Sequence, residues 1–229
     1  MPSYRIQYSK EGPARYISHL DLLRAFERAG RRAGLPLAFT QGFNPHPIIA
    51  FAAPLGVGTA GDAEYADLGL SEELAVGEVL QALAGALPEG VRLLEVRLVL
   101  EKSPALMAGV ERATYRARAK LKNPVDQQKL DNMIAAFMSR TEIWVDRKNK
   151  AGRKKKFDIR PGIFALSGRT ADDIIIIEAE LKAGSSGNIR FEEVLNALLT
   201  ESHLLLEGHF ILNRTGVYTL EGQVKKTLW

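Results

Sequence analysis

The apolar residues of this chain change period in one order, strand, helix, strand, strand, helix, strand, and the second half repeats that order. Tyr4 to Ser9 alternates as a strand, and Leu22, Phe26, Ala29 and Ala33 then recur at helical spacing. Ile48 to Ala53 and Ala63 to Gly69 read as two strands joined through the Gly-rich stretch Gly56 to Gly61. Val76, Val79, Leu80, Leu83 and Leu87 mark a second helix, and Val91 to Leu100 a closing strand. In the second half the elements are a strand at Glu111 to Leu121, a helix opened by Asn123 and Pro124, and strands at Thr141 to Asp146 and Asp173 to Leu181. A helix at Arg190 to Leu199 and a last strand at Ser202 to Leu212 complete it, with at most one helical turn at Ile163 to Leu166. This order is that of the split-βαβ, ferredoxin-like unit. The expected fold is therefore α+β: two tandem ferredoxin-like units, residues 1–102 and 106–229, each an antiparallel sheet with helices on one face and the other face free.

The stretch from Ile17 to Pro47 carries the densest local signals. Ser18 and Asp21 make a Ser-x-x-acid capping box, so a helix starts there, and Gly34 with Pro36 stops it. Its apolar stripe leaves Arg24, Arg28, Arg31 and Arg32 on another face. Thr40 to Pro47 follows as a stiff loop, because Pro45 and Pro47 fix their own φ and restrict Asn44 and His46.

Basicity is local. Arg147, Lys148, Lys150, Arg153, Lys154, Lys155 and Lys156 fall in ten residues without an acid, and subtracting those seven from the net charge of +4 leaves −3 for the rest. Because Phe157 to Ile159 can pair back on Ile143 to Val145, the run is expected at the tip of a hairpin inserted in the second unit and ended by Arg160. Such a tip attracts a polyanion in a salt-dependent way. The chain has no cysteine, which excludes disulfides, thiolate metal sites and an iron–sulfur cluster held by this chain. The N-terminus has no signal-peptide run and no stretch approaches a membrane span, so a cytoplasmic location without membrane contact is expected.

His19 and His46 lack a third histidine or second carboxylate at ligand spacing, so no metal site is expected. His46, immobilised between two prolines, is the better acid/base candidate, with His19 as its possible partner. The arginine face with Gln41, Asn44 and His46 reads either as a solvated surface or as a phosphate-contacting and substrate-reading site. Gly56, Gly58 and Gly61 match a dinucleotide spacing by accident, since they connect two strands, and no aromatic strand cluster of an RNA-recognition domain is visible.

Ile17 to Asp21, Arg28 to Ala33 with Leu35 and Pro36, and Gln41 to Pro47 together resemble the radical-SAM-linked protein family, a bacterial domain of unknown function. Phe157 to Pro161, Arg190 to Val194 and Arg214 to Tyr218 agree in character, so the resemblance spans essentially the whole chain. It implies a partner more than an activity: a radical-SAM protein that would hold the iron–sulfur cluster, S-adenosylmethionine and cobalamin, none of them bound by this chain. The expected function is an RNA-binding accessory protein that presents tRNA or rRNA to that enzyme and has no catalysis of its own. Arg24, Arg28, Arg31, Arg32, Arg160 and the 147–156 hairpin would contact phosphates, and Gln41, Asn44 and His46 the substrate. The alternatives are a metal-independent RNA-processing or RNA-modifying enzyme using His46, and a protein-interaction module without RNA. The sequence leaves the oligomeric state open.

Overall fold

The computed structural model describes residues 1–99, 105–148 and 152–229. It is an α+β protein with antiparallel strand pairings and four α-helices among the described residues. The chain divides into two compact units, Met1–Glu111 with Asn213–Trp229, and Arg112–Leu212. The boundary expected between 102 and 106 falls largely on residues outside those described, and Asn213–Trp229 groups with the first unit rather than the second.

In the first unit β1 (Ser3–Lys10) lies between β3 (Thr59–Gly69) and β4 (Val91–Val99), antiparallel to both, and the short β2 (Ile49–Phe51) pairs with β3. Tyr4, Ile6 and Tyr8 point inward at every second position of β1 and pack with Ala66 and Leu68 of β3. Helix α1 (His19–Arg32) and helix α2 (Val76–Ala84) cover this layer with Leu22, Phe26 and Ala29, and with Val79 and Leu83. The α1 start is as expected: the Ser18 hydroxyl accepts the Asp21 amide at 3.2 Å. Its end is too, with Gly34 at φ +68 and the Leu35 amide on the Gly30 carbonyl at 3.0 Å.

The opposite face of this sheet is not free. Arg5 clamps Asp67 through Nε at 2.7 Å and Nη2 at 2.8 Å, and donates its remaining arm to the Leu228 carbonyl. Trp229 then meets Tyr65 edge-on at 5.2 Å and lies under the Arg97 guanidinium at 4.3 Å. Burial under this cover pushes the Tyr65 phenol up to about 12.

In the second unit β9 (Ile174–Lys182) pairs with β5 (Arg112–Leu121) on one side and β8 (Ile163–Ala171) on the other, and the part of β10 (Leu206–Glu221) up to Leu212 borders β5. Helices α3 (Gln127–Met138) and α4 (Phe191–Ser202) bury Leu130, Ile134 and Phe137, and Phe191, Val194, Leu195 and Leu198. A two-stranded hairpin, β6 (Trp144–Lys148) with β7 (Lys154–Asp158), is inserted between α3 and β8.

Three local expectations are corrected. Ile163 to Leu166 is no helical turn; it begins β8, whose backbone pairs with β9 from Ile163↔Leu181 to Ala171↔Ile174. The strand read as ending at Leu212 runs on to Glu221 and pairs with β11 (Val224–Lys226). Helix α3 is capped by Asp126, which accepts the Lys129 amide at 2.7 Å, rather than by Asn123.

Gly90, in the turn before β4, has φ +80, and a Cβ there would lie 2.5 Å from the Glu11 carbonyl oxygen and 2.8 Å from Ala14 Cβ. Both the conformation and the contact penalise a side chain. Gly90→Ala is expected to cost about 1–3 kcal/mol, read as a lower urea midpoint at unchanged m-value.

Candidate nucleic-acid interface

The first unit presents two neighbouring stretches of the sequence to solvent, the polar side of α1 and the loop that follows. Arg24 pairs with Asp21 at 3.3 Å and Arg31 with Glu27 at 2.9 Å, one helical turn apart and exposed. Exposed pairs of this kind are worth about 0.3–0.5 kcal/mol, so either arginine can exchange its carboxylate for a phosphate. Arg28 is exposed, and Arg32 donates to the Ala86 carbonyl. The Ser18 hydroxyl bonded to Asp21 at 2.7 Å holds that carboxyl below its ordinary range, with Arg24 and Arg28 adding to the effect.

The loop is stiff at its base. Leu37 bridges to Leu70 and Phe39 to Pro47, the Thr40 amide donates to the His46 carbonyl at 2.8 Å, and the His46 amide returns to the Thr40 hydroxyl at 3.0 Å. Arg31 lies over the Phe39 ring at 5.5 Å and braces that base. Beyond it Gln41, Gly42, Phe43, Asn44, Pro45 and His46 are all exposed. Sequence reasoning singled out Gln41, Asn44 and His46 and passed over Phe43, at 105% the most exposed large apolar side chain among the described residues.

His19 occupies a different environment. It opens α1 with its ring edge on Phe51 at 5.2 Å, and burial, reinforced by Lys10, lowers its pKa. Among the described residues no hydrogen bond or ring contact joins it to His46, and no group of three or more His, Asp or Glu is arranged to hold a metal ion.

Beneath α1 lies a buried polar group that the sequence reading missed. Lys10 is 1% exposed and donates to the Ile17 carbonyl at 3.0 Å, tying β1 to the residue before the helix cap. Arg214 and Glu64, with side chains 3% and 2% exposed, form a two-pronged pair whose Nε–Oε1 distance is 2.8 Å. The same guanidinium reaches the Ala53 carbonyl at 2.8 Å and the Pro54 carbonyl at 3.3 Å. Burial drives the Lys10 pKa down, against the pull of Glu64, and drives Tyr8 well up. The available signal was positional: Lys10 continues the inward series Tyr4, Ile6, Tyr8, and Glu64 the series of Ala66 and Leu68.

In the second unit the hairpin register sets Arg147 opposite Lys155, Asp146 opposite Lys156 and Lys148 opposite Lys154. Its cations divide into two groups. Arg147 is consumed: it holds Glu193 through Nε at 2.9 Å and Nη2 at 2.6 Å, reaches the Asn188 carbonyl at 3.0 Å, and lies 3.8 Å over the Phe157 ring. Arg160 is consumed as well, donating to the carbonyls of Met138, Arg140 and Ile163. Arg153, Lys154, Lys155 and Lys156 are exposed, with Lys154 near Asp146 at 3.5 Å. Lys150 lies outside the described residues.

Two consequences are measurable. Glu64→Gln leaves the Arg214 charge buried without its counter-ion and is expected to cost about 3–5 kcal/mol, seen in urea unfolding; Glu64→Leu with Arg214→Met should recover much of that loss. For His19 the folded pKa lies below its ordinary 6.5, so the unfolded chain binds more protons as pH falls through that value. Stability should therefore rise with pH across this window and fall below it, and His19→Phe should flatten that part of the profile.

Residues 3–191 match the model of a family described as an uncharacterized protein conserved in bacteria, DUF2344. No curated protein matches the chain. Among solved structures, a Cbf5-Nop10-Gar1 complex is similar with a TM-score of 0.53 at 10% identity, over 93% of this chain and 48% of that one. The Nop10-Cbf5 complex of an archaeal box H/ACA sRNP gives 0.49 at 10% identity, over 93% and 47%. This chain thus spans about half the length of the first of those chains, 48%, and the likeness is one of fold. The chain belongs to the DUF2344 family.

Proposed function

We propose that this family member is an RNA-binding accessory protein, built on two ferredoxin-like units, that presents a tRNA or rRNA substrate to a radical-SAM modification enzyme. The observation that carries the RNA reading is the hairpin of the second unit. Lys154, Lys155 and Lys156 stand exposed in succession on β7, while Arg147 secures the hairpin to Glu193 of α4. Lys154 and Lys156 share one face of β7 with the carboxylate of Asp146 and Lys155 takes the other, and exposed ammonium groups of this kind suit a phosphate backbone, which is recognised by charge rather than sequence. The arginines of α1 and the loop at 40–46 supply a second set of contacts, the cations for phosphate and Gln41, Asn44 and His46 for the substrate.

Support for the ferredoxin-like reading is the strand order. In the first unit β4, β1 and β3 are followed by β2, and in the second β10, β5 and β9 are followed by β8, the same order of fourth, first, third and second strand. The radical-SAM partner rests on the resemblance carried by Ile17 to Asp21 and Gln41 to Pro47.

Binding to total bacterial RNA, followed by fluorescence anisotropy across a salt series, tests the reading. Replacing Lys154, Lys155 and Lys156 by Gln should reduce the slope of log K against log salt by about 2. An unchanged slope removes the hairpin from the interface. RNA turnover by the purified chain that disappears in His46→Ala would favour catalysis, and a stable complex with a protein partner without RNA affinity would favour an interaction module.

A further inference from the structure

Phe43 is an apolar ring that the fold leaves entirely in water at 105% exposure, on a loop whose base is fixed. Gly42 at φ +129 turns the chain into the tip, Pro45 and Pro47 restrict its return, and the two Thr40–His46 hydrogen bonds close it. Holding an aromatic side chain this way costs solvation and serves nothing in the core. It does reduce the entropy lost when a flat partner settles on the ring.

The neighbours of Phe43 select the partner. Gln41 and Asn44 carry amide donors and acceptors, His46 an imidazole, and all three are exposed beside it. Polar groups around a single ring do not make the apolar patch a protein hot spot needs. They do match a nucleobase, which offers a π face to a ring and hydrogen-bonding edges around it, while Arg31 of α1, over the Phe39 ring at the base of the loop, supplies charge for the backbone.

We infer that Phe43 stacks on an unpaired nucleobase of the bound RNA, so that the loop selects single-stranded or loop nucleotides over duplex. This rests on the RNA-binding reading above and adds what kind of RNA the first unit takes.

The test compares a single-stranded RNA oligonucleotide carrying 2-aminopurine with the same strand in a duplex, bound to the full chain at about 0.1 M salt. Phe43→Ala and Phe43→Leu should each weaken single-strand binding about tenfold, leave duplex binding and both salt slopes unchanged, and abolish the 2-aminopurine quenching. Phe43→Trp should retain affinity. Leu keeps apolar volume without a π face, so wild-type affinity and quenching in Phe43→Leu overturn stacking, as does an equal loss on single strand and duplex. If wild type binds with a lysine-dependent salt slope and Phe43→Ala is unaffected, stacking alone fails. If wild type binds neither RNA, the RNA reading fails with it, and the exposed ring belongs to a protein contact.

Discussion

The first unit depends on one ion pair in its interior. The Arg214 guanidinium is spread over four acceptors, both Glu64 oxygens and the carbonyls of Ala53 and Pro54. Two charges this far from water are tolerated only when each finds its partners in good geometry. Satisfying Arg214 therefore fixes three pieces of backbone together: β3 through Glu64, the segment leaving β2 through Ala53 and Pro54, and the part of β10 beyond Asn213. The loop at 40–46 leads directly into β2, so the stiffness of that loop continues into a segment the arginine anchors.

Two sets of cations are used differently. Arg5, Arg147, Arg160 and Arg214 spend their forked donors on carboxylates and carbonyls, where a planar guanidinium satisfies several acceptors at once. The lysines of β7 are left in solvent, where a flexible ammonium can follow a mobile polyanion. Composition counts these residues alike, so it overstates the cationic surface and misplaces it.

That difference also separates what the sequence made legible from what it did not. The α1 boundaries were readable because Ser18, Asp21, Gly34 and Pro36 act locally, and the hairpin because Val145 and Phe157 mark its paired inner face. Strand β8 was not, since Ile163 to Leu166 is an unbroken apolar run without alternation, and only pairing with β9 makes it extended. The extension of β10 was hidden behind Asn213 to Gly216, whose turn-like composition is overridden by tertiary partners such as Asp62 and Glu64. Within the site, His46 and Asn44 drew attention through their prolines, whereas Phe43 carries no such signal; nothing local to it says that the chain turns it outward.

The Arg214–Glu64 pair bridges 150 positions of sequence, and this sets a timetable for the chain as it is made. At about 5–20 residues per second, a ribosome delivers Arg214 roughly 8–30 s after Glu64. Throughout that interval the inner face of β3 carries the Glu64 carboxylate without its two-pronged guanidinium partner, and Lys10 of β1 is the cation at hand. The first unit to emerge is thus among the last to finish, and the second unit, whose own residues are contiguous from Arg112 to Leu212, has all of its sequence in hand before the first can close.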